Sequence, residues 1–455
     1  MNLLSMQLNE HAVRAYNEKA ISLLQQLTAE PTRSTTTGHS TFQPDVHISG
    51  TFTDEDIKDL KMSRRDREGN EVSKSFYYEG KTFELAGEGY QVLKRVAEGM
   101  RKAPDLRDAV SVTLLIDLIF DWIETQYKDA TSLNMTEFVL HQASQKIREF
   151  EVWIPISSTR VQSDFEFGNM HIRTITRAML DEWEAEDRQA HPEASSARDV
   201  FFERWRKALL GLAATTIRLR AEPKRAYELA SAEAERTLAV LRCLSFYSCF
   251  PFTVSNSVPL GEESTKHYKY IMTHEGRIVF SSSGFKETLY DEWRIDNADL
   301  ELMKSYGMDK FNALLKEKKP TSFQRDLLHA LQLYGRSSTL SDPADKLTYI
   351  FAALEALLSA DRTQSFDDWA DRLIMFVDKA AAGRKDALRI TRNMFARRLS
   401  FVHSEHSMQD LETLEKFMMI AWTFFMNVVG NANTFKFRAD FIRAIDNSIL
   451  SGGLA

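Results

Sequence analysis

Two cysteines in 455 residues are too few for a disulfide framework, and a bond between Cys243 and Cys249 would close only a small loop before Pro251. Both are expected to be reduced, buried thiols. No unbroken apolar run reaches the roughly 18 to 20 residues that a membrane span needs. The longest stretches, from Val112 to Phe120 and from Phe417 to Val429, are interrupted by polar residues or fall short. The N-terminal residues lack a basic region followed by a sustained apolar segment, which argues against a secretory signal and for a cytoplasmic location. Glycine-rich phosphate loops are missing too, since Gly87-Glu-Gly is too short for either nucleotide-binding geometry, and no cofactor is expected. A formal charge of −7 excludes the uniformly basic surface of a protein that coats nucleic acid in bulk.

What is present is apolar mass: 43% of the residues are hydrophobic, enough for more than one core. At roughly 100 to 200 residues per domain, two to four domains are expected. The fold class is mainly α, with an α+β N-terminal and middle region and a C-terminal antiparallel helical bundle. Residues 1–150 read as a mixed α/β region: a helix over about 1–30, a Thr/Ser-rich loop from Pro31, and a hairpin in which Glu79-Gly80 turns two aromatic-rich strands. Residues 151–315 read as an α+β domain with a sensing or regulatory role. Its strands alternate at Val152-Trp-Ile-Pro-Ile, across Phe165 to Thr176 and again across Tyr268 to Phe280, and a long helix follows Pro223.

Residues 320–430 carry the clearest helix signals. Asp342-Pro343 is an N-cap with proline at the first helical position, Ser365 with Asp368 resembles a capping box, and Ser407 with Asp410 precedes a long apolar helix. Short loops between four such helices predict an antiparallel bundle. A helical tail over 431–455 completes the chain.

One bundle helix is strongly basic. Arg384, Lys385, Arg389, Arg392, Arg397 and Arg398 stand against Asp386 alone, a local charge of +5 that suits RNA. Its apolar stripe is read as Leu388, Phe395, Leu399 and Val402. Arg398 and His403 lie five apart on it, a spacing expected about once by chance in a chain of this composition. On a continuous helix the two positions diverge by about 140°. They converge only if the helix frays near Ser404 or if two protomers pack this face about a two-fold axis.

Such a pair has a chemistry. An imidazole can take the 2′-hydroxyl proton of RNA, and a guanidinium can hold the charge that builds on the phosphorus oxygens, with no metal required. The plainer readings are an ion pair of Arg398 with an acidic neighbour such as Glu405 or Asp410, and a capping or packed His403. The run His403-Ser-Glu405-His406 matches no common metal-site spacing and reads as an interhelical turn.

The segments Lys346-Leu-Thr-Tyr-Ile-Phe-Ala-Ala-Leu-Glu355-Ala-Leu-Leu and Met394-Phe-Ala-Arg-Arg398-Leu-Ser-Phe-Val-His403-Ser together resemble the Apea-like branch of the HEPN superfamily. The resemblance covers about residues 322–430, extends weakly to the strands near 152 and 167, and does not reach residues 1–150. It implies an all-helical dimerising domain, a metal-independent endoribonuclease, and use as a toxin or abortive-infection effector in bacterial defence against phage. Arg398 and His403 then take the catalytic positions, Glu355 the supporting acidic one, and RNA, including tRNA, is the expected partner. The chain carries Leu399 where the superfamily favours a polar residue and Ser404 where glycine is usual. Some members are non-catalytic and only bind RNA, nucleotide or a partner, and that alternative stays open here.

Overall fold

Glu79 and Gly80 both adopt positive φ, 47° and 78°, the backbone of a two-residue hairpin turn. Around them four antiparallel strands, β1 (Thr28–Pro31), β2 (Lys61–Arg65), β3 (Glu71–Tyr78) and β4 (Lys81–Ala86), assemble in the order β1-β4-β3-β2. The expected hairpin is therefore present, with Phe76 and Phe83 in register and their rings stacked 5.4 Å apart. The computed structural model describes residues 8–31, 61–129, 133–192, 195–262, 267–274, 277–285, 292–360, 366–377, 381–403 and 410–450. The Thr/Ser-rich loop after Pro31 lies outside them.

Helices α1 (Glu10–Leu24), α2 (Gly87–Arg101), α3 (Pro104–Arg107), α4 (Val112–Asp129) and α5 (Met135–Lys146) bury a core around Phe76, Leu93, Ile119 and Phe120. The helix expected over residues 1–30 stops at Leu24, because Thr28 to Pro31 instead pair along β4 and gain a ladder of backbone bonds. Residues 1–150 and 218–229 make one compact unit. Buried Glu222 holds the second stretch to the first, accepting from the backbone N–H groups of Ser111 (3.1 Å), Lys224 (2.8 Å) and Arg225 (3.0 Å).

Residues 151–217 and 230–455 make the other unit. Strands β5 (Arg148–Pro155), β6 (Thr159–Val161), β7 (Phe165–Phe167) and β8 (Met170–Thr174) lead into α6 (Arg177–Ala190) and α7 (Ser195–Leu209). Then come β9 (Ala213–Ala221), α8 (Pro223–Cys243), the hairpin β10 (His267–His274) with β11 (Arg277–Phe285), and β12 (Trp293–Ile295), which pairs in parallel with β6. A four-stranded sheet runs β5-β9-β8-β7. Among the described residues no strand follows β12. The remaining helices are α9 (Asn297–Ser305), α10 (Met308–Lys316), α11 (Ser322–Ser337), α12 (Pro343–Leu358), α13 (Phe366–Ile374), α14 (Ala381–His403), α15 (Leu411–Gly430) and α16 (Arg438–Leu450).

The chain is thus mostly helical, with its strands in the N-terminal and middle parts. Asp342 caps α12 as expected, accepting from the Ala344 N–H at 2.8 Å, with Pro343 at the first helical position. Asp410 caps α15 by accepting from the Thr413 N–H at 3.2 Å; Ser365 and Ser407 lie outside the described residues. Buried side chains on both sides of residues 315–320 share one apolar cluster, from Ile156 through Phe323 and Phe351 to Phe441 and Ile445. Each large side chain in it stabilises the fold by about 1.5 to 3 kcal/mol. Cys243 and Cys249 are free and buried, as expected, and burial pushes their thiols up to about 12 and about 11. Among the described residues no helix is long and apolar enough to cross a membrane.

Two positions are unforgiving. A Cβ at Gly335 would fall inside the Ala239 carbonyl, because α8 and α11 touch backbone to backbone there. Gly335→Ala should cost roughly 3 kcal/mol or more, or prevent folding, as read by urea denaturation.

Lys346 has no solvent exposure, and its Nζ donates to the carbonyls of Phe250 (3.4 Å) and Thr253. Burial lowers its pKa from 10.5 to about 8. Between those values the unfolded chain holds a proton that the folded chain has released, so this group adds stability as pH rises from about 8 to about 10.5. The gain is roughly 3 kcal/mol. It is opposed above pH 9 by the two thiols, which ionise only when unfolded. Unfolding free energies of wild type and Lys346→Met, compared across that window, should diverge with pH; parallel curves would rule the buried charge out.

Candidate functional site

Phe351 and Glu355 stand four residues apart on α12 and therefore share a face. Phe351 is fully buried, stacked on Phe417 at 4.8 Å and edge-on to Phe395 at 5.8 Å. Glu355, one turn on, reaches the rim of the same cluster. Facing it, α14 buries Ala387, Ile390, Thr391 and Met394. Arg398 extends that seam by another turn, its side chain mostly but not wholly buried.

The guanidinium is held by two contacts. Its Nη1 donates to Glu355 Oε1 at 2.6 Å, and its Cζ lies 5.4 Å from the centre of the Phe351 ring. The side chains remain 21% (Arg398) and 38% (Glu355) exposed, so the pair is neither sealed nor free. One N–H edge serves the carboxylate, which leaves other donors of a permanently charged, planar group for a phosphate. Among the described residues the ion-pair partner is thus Glu355 and not Asp410, which pairs with Arg397; Glu405, the other partner of the plainer reading, lies outside them.

The other basic residues do not form an open patch. Arg389 pairs with Asp386 at 2.6 Å, Arg392 with Asp367 at 3.0 Å, and Arg397 with Asp410 at 3.4 Å. Arg384 is half-buried and Lys385 exposed. Counting Asp367, Asp410 and Glu355 beside the helix brings the formal +5 down to +2. The acids that offset the local charge sit on other elements, where a count along the helix does not register them.

Leu399 also departs from expectation. It is 48% exposed and not part of a buried stripe, since the seam through Ile390, Met394 and Arg398 turns the next position outward. The backbone of α14 stays helical through His403, so fraying before that residue does not occur and positions 398 and 403 diverge by about 140°. The His403 side chain and residues 404–409, with Ser404, Glu405 and His406, lie outside the described atoms. Among the described residues no three His, Cys, Asp or Glu side chains are placed to hold a metal.

Phe351 was not among the site residues expected from the sequence; its position four residues before Glu355 was the available sign that it would underlie whatever Glu355 holds. A double-mutant cycle with Glu355→Gln and Arg398→Met should return a coupling of about 0.5 to 1 kcal/mol in chemical denaturation, modest because water screens both groups. Zero coupling would mean that the pair does not form in solution. No protein-family model, curated protein or solved structure matches the chain.

Proposed function

We propose that residues 320–430 form a HEPN-type domain acting as a metal-independent endoribonuclease, a toxin or anti-phage effector whose active site is completed by a second copy of the chain. The observation that carries this reading is the Arg398–Glu355 pair, which joins the two segments on which the resemblance rests, 43 residues apart in the chain. Leu399 beside Arg398 is 48% exposed and so is open to a two-fold contact. A helical backbone to His403 favours that arrangement over a single-chain site, because a two-fold axis lets each Arg398 meet the partner's imidazole.

In this reading the imidazole of His403 takes the 2′-hydroxyl proton, and the oxygen attacks the adjacent phosphorus. Arg398 holds the two non-bridging oxygens as negative charge accumulates on the five-coordinate phosphorane. The imidazolium so formed returns its proton to the departing 5′-oxygen, giving a 2′,3′-cyclic phosphate and a 5′-hydroxyl. Glu355 is a positioning residue, fixing the guanidinium before substrate arrives. Only RNA has the nucleophile.

A second reading, a non-catalytic scaffold that assembles or binds RNA without cutting it, draws support from the carboxylates that occupy Arg389, Arg392 and Arg397. Total RNA and purified tRNA incubated with the protein in EDTA separate the two. Cleavage by wild type should fall about 10²- to 10⁴-fold in His403→Ala with the assembly state unchanged. Glu355→Gln should lose less. A requirement for a divalent ion would sink the proposed chemistry, and RNA that is retained but uncut would favour the scaffold.

A further inference from the structure

A second cluster of arginines lies elsewhere in the same unit, and the ribonuclease reading makes no use of it. Arg242, near the end of α8, is only 6% exposed, and its Nε and Nη1 donate to the carbonyls of Gly335 (3.0 Å) and Ser257 (2.7 Å). Those bonds staple α11 and the loop after Phe250 to α8. They do not neutralise a charge. Among the described residues no carboxylate stands at ion-pair distance from Arg242; the charges acting on it from further off include a second cation, Arg336, which lowers its pKa, and the Glu262 carboxylate, which raises it. Burial lowers the Arg242 pKa to about 10, and Arg336 pushes the same way, yet the group stays charged at neutral pH.

Arg336 is exposed on the last turn of α11, its Cζ 5.4 Å from the centre of the Tyr349 ring. It too has no carboxylate at ion-pair distance among the described residues. Both guanidiniums line one cleft of about 470 Å³, with Gln332 and Thr339 as neutral donors on the same wall. A third arginine there, Arg236, is already paired with Glu233 at 2.7 Å. Arg14, Arg65 and Arg204 likewise have no carboxylate at ion-pair distance among the described residues, but they are exposed, whereas Arg242 is buried. Burying a cation beside a like charge is costly unless an anion completes the site. The stapling role accounts for Arg242 alone and leaves Arg336 unexplained.

We infer that this cleft binds a phosphate group, free or as a phosphomonoester, between the planar forks of Arg242 and Arg336. A tetrahedral oxyanion fits the chemistry, since the Arg336 fork can present two parallel N–H donors to two oxygens, and Arg242 keeps its Nη2 donors beyond the two nitrogens bonded to carbonyls. Glu235 and Glu262 also line the cleft. Their charge disfavours an extended polyanion, and a carboxylate there can accept from hydroxyls on the body of an ester. The site is independent of the RNA chemistry proposed for Arg398.

The test is isothermal titration of the full-length protein with inorganic phosphate and, separately, glycerol phosphate, with sodium chloride at matched ionic strength as the control. Saturable binding of either phosphate is expected in wild type. Arg336→Ala should bind roughly tenfold more weakly, the loss of about one charge-assisted contact, with an unchanged melting temperature in buffer. Arg336→Lys should keep part of the affinity. Should Arg336→Ala fold poorly, Glu235→Gln gives the opposite readout and should tighten binding severalfold. Absence of saturable binding in wild type overturns the proposal, as does an affinity indifferent to residue 336 or, in the fallback, to residue 235.

Discussion

Phe351 is shut away from water by Phe395 and Phe417, and this seals the geometry of everything above it. A buried ring is a fixed platform. The guanidinium resting over it has lost most of its rotational choices before any ligand arrives, and Glu355, fixed one helical turn further along α12, removes more of them. Pre-ordering of this kind lowers the entropy that binding must otherwise consume. The aromatic cluster is therefore both part of the apolar core and the mount of its charged edge, and the two roles cannot be altered separately.

Parts of this were legible before any coordinates. Glu79-Gly80 announces its turn because few residue pairs accept two positive φ angles, and Asp342-Pro343 announces a helix start because both residues act within one turn of where they stand. Local chemistry leaves local marks. The facing of α14 was not legible, because its apolar residues admit two stripes, one through Leu399 and one through Met394, and only the neighbouring helices choose between them. The strand β9 escaped for another reason: Ala213-Ala-Thr-Thr is small and bland, and its place in the sheet is dictated by β8 beside it. Arg242 and Arg336 belong to helices far apart in sequence and carry no motif that would connect them.

Charge follows the same division. Read along the chain, α14 is a cationic rod; in space, most of its arginines face carboxylates from other helices or from its own first turns. What distinguishes Arg398 from Arg389 is therefore not charge but immobilisation. Exposed pairs such as Arg389 with Asp386 can open readily to an incoming phosphate, whereas Arg398 would accept one without leaving its platform.

The burial of both sulfhydryls has a practical corollary. Cys243 and Cys249 are buried in the folded state and resist ionisation, so thiol-directed reagents meet a low background. A single cysteine engineered onto the outward face of α14 would carry the only reactive sulfur, and a spectroscopic label or short crosslinker attached there would report on that face without first stripping the native residues.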